Sequence, residues 1–251
     1  MNIFGPVAKR NRTMSKPLHL GLLLLFFAML SGCRDTPTLI SGRQELRVSE
    51  TLEYFLYYPP GYWEETDQKF PLLLFLHGGG ESGASLELVR KNGLPKLVSE
   101  GAEFPFLILA PQNPHKKKWW NVRAVMALLE NVVADNRVDR SRLYLTGLSR
   151  GGNACWEIAT QFPDTFAAMA VVCGMTPLPY AHWIDRDLSI WVFHGTEDPV
   201  IPYSESEAMV RKLRELGYDV RLTAYEGVGH NSWERAYKEE GLYEWFLEHS
   251  R

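Results

Sequence analysis

The sequence predicts an α/β fold, a mostly parallel central sheet with helices on both faces. Short apolar strands alternate with longer segments of helical period. The strands are apolar throughout rather than alternately polar, as strands covered on both sides must be. No internal repeat, low-complexity stretch or linker divides residues 46–251, and their length suits one domain with a sizeable core.

Each element follows from local residues. Leu52 to Tyr58 reads as a strand stopped by Pro59-Pro60-Gly61. Pro71 to Leu76 is a second, very apolar strand leading into His77-Gly78-Gly79-Gly80. A helix is predicted over Leu86 to Ser99 and a strand over Phe104 to Ala110. Val122, Val125, Met126, Leu129, Val132 and Val133 recur at helical spacing. Leu143 to Thr146 is the next strand, Asn153 to Phe162 a helix, and Ala167 to Cys173 and Ile190 to Phe193 are strands. Ser204 and Glu207 have the spacing of a capping box for a helix through Met209, Leu213 and Leu216, ended by Gly217. Val220 to Tyr225 is the last strand, and the final helix carries Leu242, Trp245 and Phe246.

The first 32 residues stand apart from this pattern. Lys9, Arg10, Arg12 and Lys16 precede an apolar run from Leu18 to Leu30, too short for a spanning helix and followed by small residues. Leu30-Ser31-Gly32-Cys33 resembles a bacterial lipoprotein signal, which implies that Cys33 is lipid-modified and becomes the first mature residue. Residues 33–45 are then a polar tether, and 46–251 the folded domain. The resemblance implies the bacterial cell envelope, with the membrane met only through the anchor. Arg34 departs from the aspartate of an inner-membrane retention signal, which favours the outer membrane and periplasm. Removing the signal takes four of the 27 basic residues and none of the 30 acidic ones, leaving a net charge of −7. So acidic a chain argues against nucleic acid as a partner. Lys116-Lys117-Lys118 is the one basic run, and a solvated loop accounts for it. Cys155 and Cys173 read as two buried thiols without the spacing of a metal site. An oxidising compartment would also permit a disulfide between them. No oligomeric state follows from the sequence.

Chemistry enters at Gly147-Leu148-Ser149-Arg150-Gly151, between a strand and a helix. Glycines two positions to either side let the chain turn tightly enough to hold the Ser149 hydroxyl above the sheet edge. A serine hydroxyl needs a base to take its proton and a carboxylate to orient that base. Asp198 follows the strand Ser189-Ile-Trp-Val-Phe193, and His230 follows the last strand, so the order Ser, Asp, His holds with each at a strand exit. Glu197 is the nearest rival to Asp198. His77 and His194 also follow strands, but too early in the chain to be the base. Oxyanion donors are expected from the Arg150 amide and the glycine loop, with Gly79 first and Gly78 and Gly80 beside it.

From about residue 46 to 250 the chain resembles an α/β-hydrolase of the esterase branch. It is similar to secreted esterases and peptidases related to prolyl oligopeptidase, to feruloyl esterases and to polyhydroxyalkanoate depolymerases. The matching blocks are LLLFLHGGGESG, LILAPQNP, YLTGLSRGGNACWEIATQFPDTFAAMAVVCG, IWVFHGTEDPVIP and YEGVGHNSW. The resemblance implies Ser149 as nucleophile, His230 as base and Asp198 as orienting acid, with no metal or cofactor. Arg150 departs from the methionine or glutamine usual at its position, so its side chain is expected to alter the acyl site or favour an anionic group. The implied reaction is hydrolysis of carboxylic esters, on small molecules or on a polymer such as a polysaccharide. The alternatives are a peptidase of the prolyl oligopeptidase type and a non-catalytic binding protein on the same fold. The short connector before Ile190 leaves no length for a large lid. Trp119, Trp120 and Trp233 lie near strand ends or beside His230 and offer flat faces suited to aromatic or sugar groups; Trp233 and Trp120 are the candidate substrate contacts, and packing accounts for each one equally.

Overall fold

The computed structural model describes residues 50–251 apart from 65, 66 and 240, so the signal, Cys33 and the whole tether lie outside the described residues. Its strands are Tyr54–Tyr57 (β1), Phe70–Leu76 (β2), Leu107–Pro111 (β3), Val138–Leu148 (β4), Ala168–Val172 (β5), Ser189–Gly195 (β6) and Val220–Tyr225 (β7). The helices are Gly93–Ser99 (α1), Val122–Asp135 (α2), Arg150–Gln161 (α3), Tyr203–Glu215 (α4), Trp233–Ala236 (α5) and Leu242–Leu247 (α6). The strands join in one sheet of order β1-β3-β2-β4-β5-β6-β7, in which only β1 runs antiparallel to its neighbour.

The strand β2 shows why the sheet is covered twice. Leu72, Leu74 and Leu76 enter one core with Leu129 of α2, Ile158 of α3 and Leu213 of α4. Leu73 and Phe75 point the other way, to Leu94 of α1 and Leu242 and Phe246 of α6. Successive side chains of a strand face opposite sides, so one continuous apolar run serves both layers. Each fully buried leucine contributes roughly 1.5–3 kcal/mol.

One close approach sets the functional edge. At Gly151, in the first turn of α3, an added Cβ would lie 1.9 Å from the Leu76 carbonyl oxygen and 2.7 Å from that of His77. At Gly147, near the end of β4, it would lie 2.6 Å from the Gly151 carbonyl oxygen. The helix therefore seats directly on the end of β2, where the glycine loop begins.

Several local expectations are corrected. The helix expected over 86–99 is two pieces, a 3-10 helix at Leu86–Lys91 and then α1. Gly93 has φ +63°, and Pro95 fits the first turn of a new helix but not the interior of a longer one. The capping box does not form: α4 starts at Tyr203 after Pro202, so Ser204 lies inside the first turn with no side-chain cap in place. The strand β4 begins at Val138, earlier than expected: Val138 pairs with Phe70 of β2 ahead of a register shift, and Asp139 and Arg142 form a salt bridge along the polar stretch that follows. Cys155 and Cys173 are buried and free. Residues 173–188, between β5 and β6, carry one short 3-10 helix at Leu178–His182 and no large lid.

Gly151→Ala should lose about 3 kcal/mol, a fall in melting temperature of roughly 6–12 °C, because backbone rather than a flexible side chain blocks the methyl. Gly80→Ala, with nothing within 4 Å of the new methyl, should stay within about 0.5 kcal/mol. Equal melting shifts for the two variants would remove the steric basis of this seating.

Candidate active site

Ser149 sits between β4 and α3 with φ +52°, a conformation uncommon for a residue with a side chain. Strain of this kind costs about 1–3 kcal/mol and persists only where the surroundings impose it. Here the Ser149 N–H donates to the Val172 carbonyl at 2.9 Å, and its own carbonyl accepts from Asn153 N–H at 2.9 Å in the first turn of α3. The backbone is thus fixed on both sides while the hydroxyl stays clear of the sheet.

The loops after β6 and β7 bring the other two groups to that hydroxyl. His230 Nε2 lies 2.9 Å from Ser149 Oγ, and His230 Nδ1 lies 2.7 Å from Asp198 Oδ2. A carboxylate only accepts, so Nδ1 carries the ring proton and Nε2 presents a lone pair to the serine. The two loops are laced together: Thr196 N–H donates to the Tyr225 carbonyl, Glu197 N–H to the Val228 carbonyl, and Gly227 N–H to Thr196 Oγ1. A Cβ at Gly195 would lie 2.2 Å from the Val228 oxygen, so glycine there permits the lacing. The Asp198 carboxylate is fully buried, whereas the His230 side chain is 19% exposed. Burial alone would raise the Asp198 carboxyl, but hydrogen bonds from His230 and from the Ile201 and Val200 amides outweigh it and hold the group below its usual value. Glu197 has no comparable bond to His230. Cys173 Sγ lies within 4.8 Å of the Asp198 and His230 ligand atoms. Burial pushes its thiol up to about 12, so it stands there as a protonated neighbour.

The glycine loop is held from behind by His77. His77 Nε2 accepts from the Asn113 N–H at 3.0 Å, so Nδ1 carries the proton and donates to the Gly78 carbonyl at 2.7 Å. Burial lowers the His77 pKa and keeps the ring neutral in that tautomer. Because a trans peptide is planar, turning the Gly78 C=O toward His77 turns the Gly79 N–H to the opposite side. Arg150 heads α3, where backbone N–H groups have no partner within the helix. Its guanidinium lies against Gly79 and is tied down, with Nη1 donating to the Lys116 carbonyl at 3.0 Å, the Lys118 carbonyl at 3.3 Å and Ser82 Oγ at 3.3 Å. The long cation therefore binds the 116–119 loop to the glycine loop.

The two candidate tryptophans differ. The Trp233 ring stands edge-on to His230 with centroids 5.4 Å apart, beside the exposed edge of the imidazole. Trp120 is a correction, because it is buried behind the glycine loop, where its indole N–H donates to the His77 carbonyl at 3.2 Å. Its ring therefore cannot offer a face to substrate. The exposed indole is Trp119, which with Asn153, Met175, Tyr180 and others lines an open cavity of about 460 Å³. Sequence reasoning passed over Tyr180 and Asn153, and set His77 and His194 aside as non-bases. The repeated His-Gly after a strand was the visible signal for those two histidines.

Residues 112–241 match the dienelactone hydrolase family. A probable feruloyl esterase C of Aspergillus terreus is 28% identical over 199 residues, covering 76% of this chain and 70% of the relative. Acyl-protein thioesterase 1 of Gibberella zeae is 38% identical, covering 69% of this chain and 88% of the relative. Among solved structures, a thermostable esterase is 32% identical with a TM-score of 0.69 over 80% of this chain, which spans 60% of that structure's length. The family match runs unbroken through the strand exits that bear Ser149, Asp198 and His230, and the chain belongs to the dienelactone hydrolase family, with an α/β-hydrolase fold.

Proposed function

We propose that this protein is a serine hydrolase that cleaves carboxylic esters through an acyl-enzyme. The observation that carries this reading is the unbroken hydrogen-bonded line from Ser149 Oγ through His230 to the buried Asp198 carboxylate. The ester-hydrolysing relatives support the same class of reaction.

The chemistry follows from the geometry. Ser149 Oγ attacks the ester carbonyl carbon as its proton passes to His230 Nε2. The carbonyl oxygen becomes an alkoxide, facing the Gly79 and Arg150 amide N–H groups. Collapse of this intermediate breaks the bond to the alcohol, which leaves with the proton from His230. Water then attacks the acyl group, giving its proton to His230, and the acid departs as Ser149 regains a proton. Throughout, the Asp198 carboxylate stays ionised, holds the ring orientation and stabilises the imidazolium.

The open rim around Ser149 suits small esters, or acyl groups on an accessible polymer such as a polysaccharide. Trp119, Met175 and Tyr180 offer apolar faces in the neighbouring cavity, and Trp233 walls the His230 side. The lipoprotein-like N-terminus supports a place in the cell envelope, with Cys33 carrying the lipid. No helix among the described residues is long and apolar enough to cross a membrane.

Three measurements test these statements. With nitrophenyl esters from acetate to octanoate, Ser149→Ala in the full chain should lose about 10⁴- to 10⁶-fold in kcat. Equal turnover by wild type and variant would dismiss Ser149 as nucleophile, and preference for amide over matched ester substrates would make the protein a peptidase. Asp198→Asn should lower kcat by about 10⁴-fold with KM little changed, since the amide favours the wrong His230 tautomer. A loss confined to KM would contradict an orienting role. For the anchor, the wild-type protein should enter the detergent phase on Triton X-114 partition and Cys33→Ser should stay in the aqueous phase; identical behaviour would exclude lipidation at Cys33.

A further inference from the structure

His194 is fully buried, titratable and unused by the chemistry above. It is the next-to-last residue of β6, and its ring reaches forward to Asp198. Its Nδ1 is 2.7 Å from Ser206 Oγ on α4, and its Nε2 is 2.9 Å from the Ile201 carbonyl and 3.2 Å from Asp198 Oδ2. Both neighbours of Nε2 only accept, so that nitrogen carries the proton, and in the neutral ring Nδ1 accepts from the Ser206 hydroxyl.

We infer that His194 is a positioning residue for Asp198, whose shared Nε2–H fixes which carboxylate oxygen faces His230. The bonds form a closed set. Asp198 Oδ1 accepts from the Val200 N–H at 2.8 Å and the Ile201 N–H at 2.9 Å. Asp198 Oδ2 accepts from His230 at 2.7 Å, and the His194 Nε2–H stands 3.2 Å from the same oxygen. The Ile201 carbonyl returns to the same His194 nitrogen. With three donors on two oxygens and the His194 N–H against Oδ2, rotation of the carboxylate would break bonds to the 198–201 loop and the contact with β6 together. A donor other than His230 also draws charge from Oδ2, which moderates how strongly the carboxylate stabilises a protonated His230.

Among the described residues, the titratable groups around this pair come from four elements. Tyr203 of α4 stands edge-on to the His194 ring at 6.0 Å, His230 faces Asp198 from the loop after β7, and Cys173 approaches from the end of β5. Asp198 itself supplies the nearest charge, from the loop after β6. Burial outweighs the carboxylate's pull and lowers the His194 pKa, so the ring stays neutral while it donates.

The inference rests on the Ser149–His230–Asp198 reading, so the wild type and Ser149→Ala are assayed in the same series. In the full chain, His194→Leu removes the donor at similar volume, and His194→Gln returns an N–H near the Nε2 position. The Leu variant should lose about 10- to 100-fold in kcat with KM little changed. The acid limb of its kcat/KM profile should move up by about half a unit or more, because Asp198 Oδ2 then holds His230 protonated more strongly. The Gln variant should recover most of both. Ser206→Ala, a milder change that removes the hydroxyl holding Nδ1 and loosens the ring, should shift the limb the same way by less. An acid limb unmoved in folded Leu and Ser206→Ala proteins, or a loss in the Leu variant that Gln does not restore, would reduce His194 to core packing. Activity independent of Ser149 would instead overturn the triad reading itself.

Discussion

Where the first turn of α3 rests on the end of β2, no atom can stand between them. Gly151 has 1.9 Å between a would-be Cβ and the Leu76 oxygen, and the His77 oxygen is close behind. This contact joins the two backbones that the chemistry needs together. It sets the Arg150 amide beside the glycine loop, and it forces β4 to reverse into α3 over a single residue, which leaves Ser149 at φ +52°. A larger residue at 151 would push the helix off the strand and separate the Ser149 hydroxyl from the glycine loop in one movement. The strain at Ser149 is small against the burial that the seated helix secures through Ile158 and Ala154.

A second constraint is electrostatic. A carboxylate removed from water is costly unless every lone pair is engaged. Asp198 meets that condition with two backbone amides and the His230 imidazole, with the His194 N–H in contact at 3.2 Å, and the result is an anion held below its ordinary pKa despite full burial. The lacing of the Asp198 and His230 loops through Gly195, Thr196 and Gly227 gives this geometry its rigidity. His77 and His194 occupy equivalent places behind the two halves of the site. Each is buried, each has its tautomer fixed by backbone or hydroxyl partners, and burial lowers the pKa of each. Neither is positioned to exchange a proton with substrate, which suits groups that aim others.

The layered sheet, its strand exits and the three-residue line were legible because each rests on local signals. Runs such as Leu72–Leu76 mark strands buried on both faces, and glycines at 147 and 151 mark a turn with no room. Less legible were features decided by tertiary contact. Trp119 and Trp120 are adjacent and chemically identical, yet one is exposed and the other is drawn inward by the His77 carbonyl. The polar stretch Asp139–Arg142 hid the first half of β4, whose Val138 pairs with Phe70 of β2 ahead of a register shift. In α4 the Ser204–Glu207 spacing lost to Pro202, whose ring cannot lie deeper in the helix and so fixes its start. The break at Asn92-Gly93 was readable, because glycine followed by Pro95 signals a new helix start.

Specificity then falls to the rim rather than the sheet. The short connector at residues 173–188 forms no large lid, and its Met175 and Tyr180 line an open cavity with Asn153 of α3 and Trp119, which is 63% exposed. An uncovered site gains little from excluding water, which puts more of the rate on preorganised donors and on the fixed His230–Asp198 pair. Such a site can accept an ester group that projects from a bulky carrier, because only the reacting carbonyl must enter the narrow space between Gly79, Arg150 and His230. The tied guanidinium of Arg150 contributes to that narrowness by holding the 116–119 loop against the glycine loop. Rigidity at the reacting centre and openness at its edge are therefore consequences of the same packing.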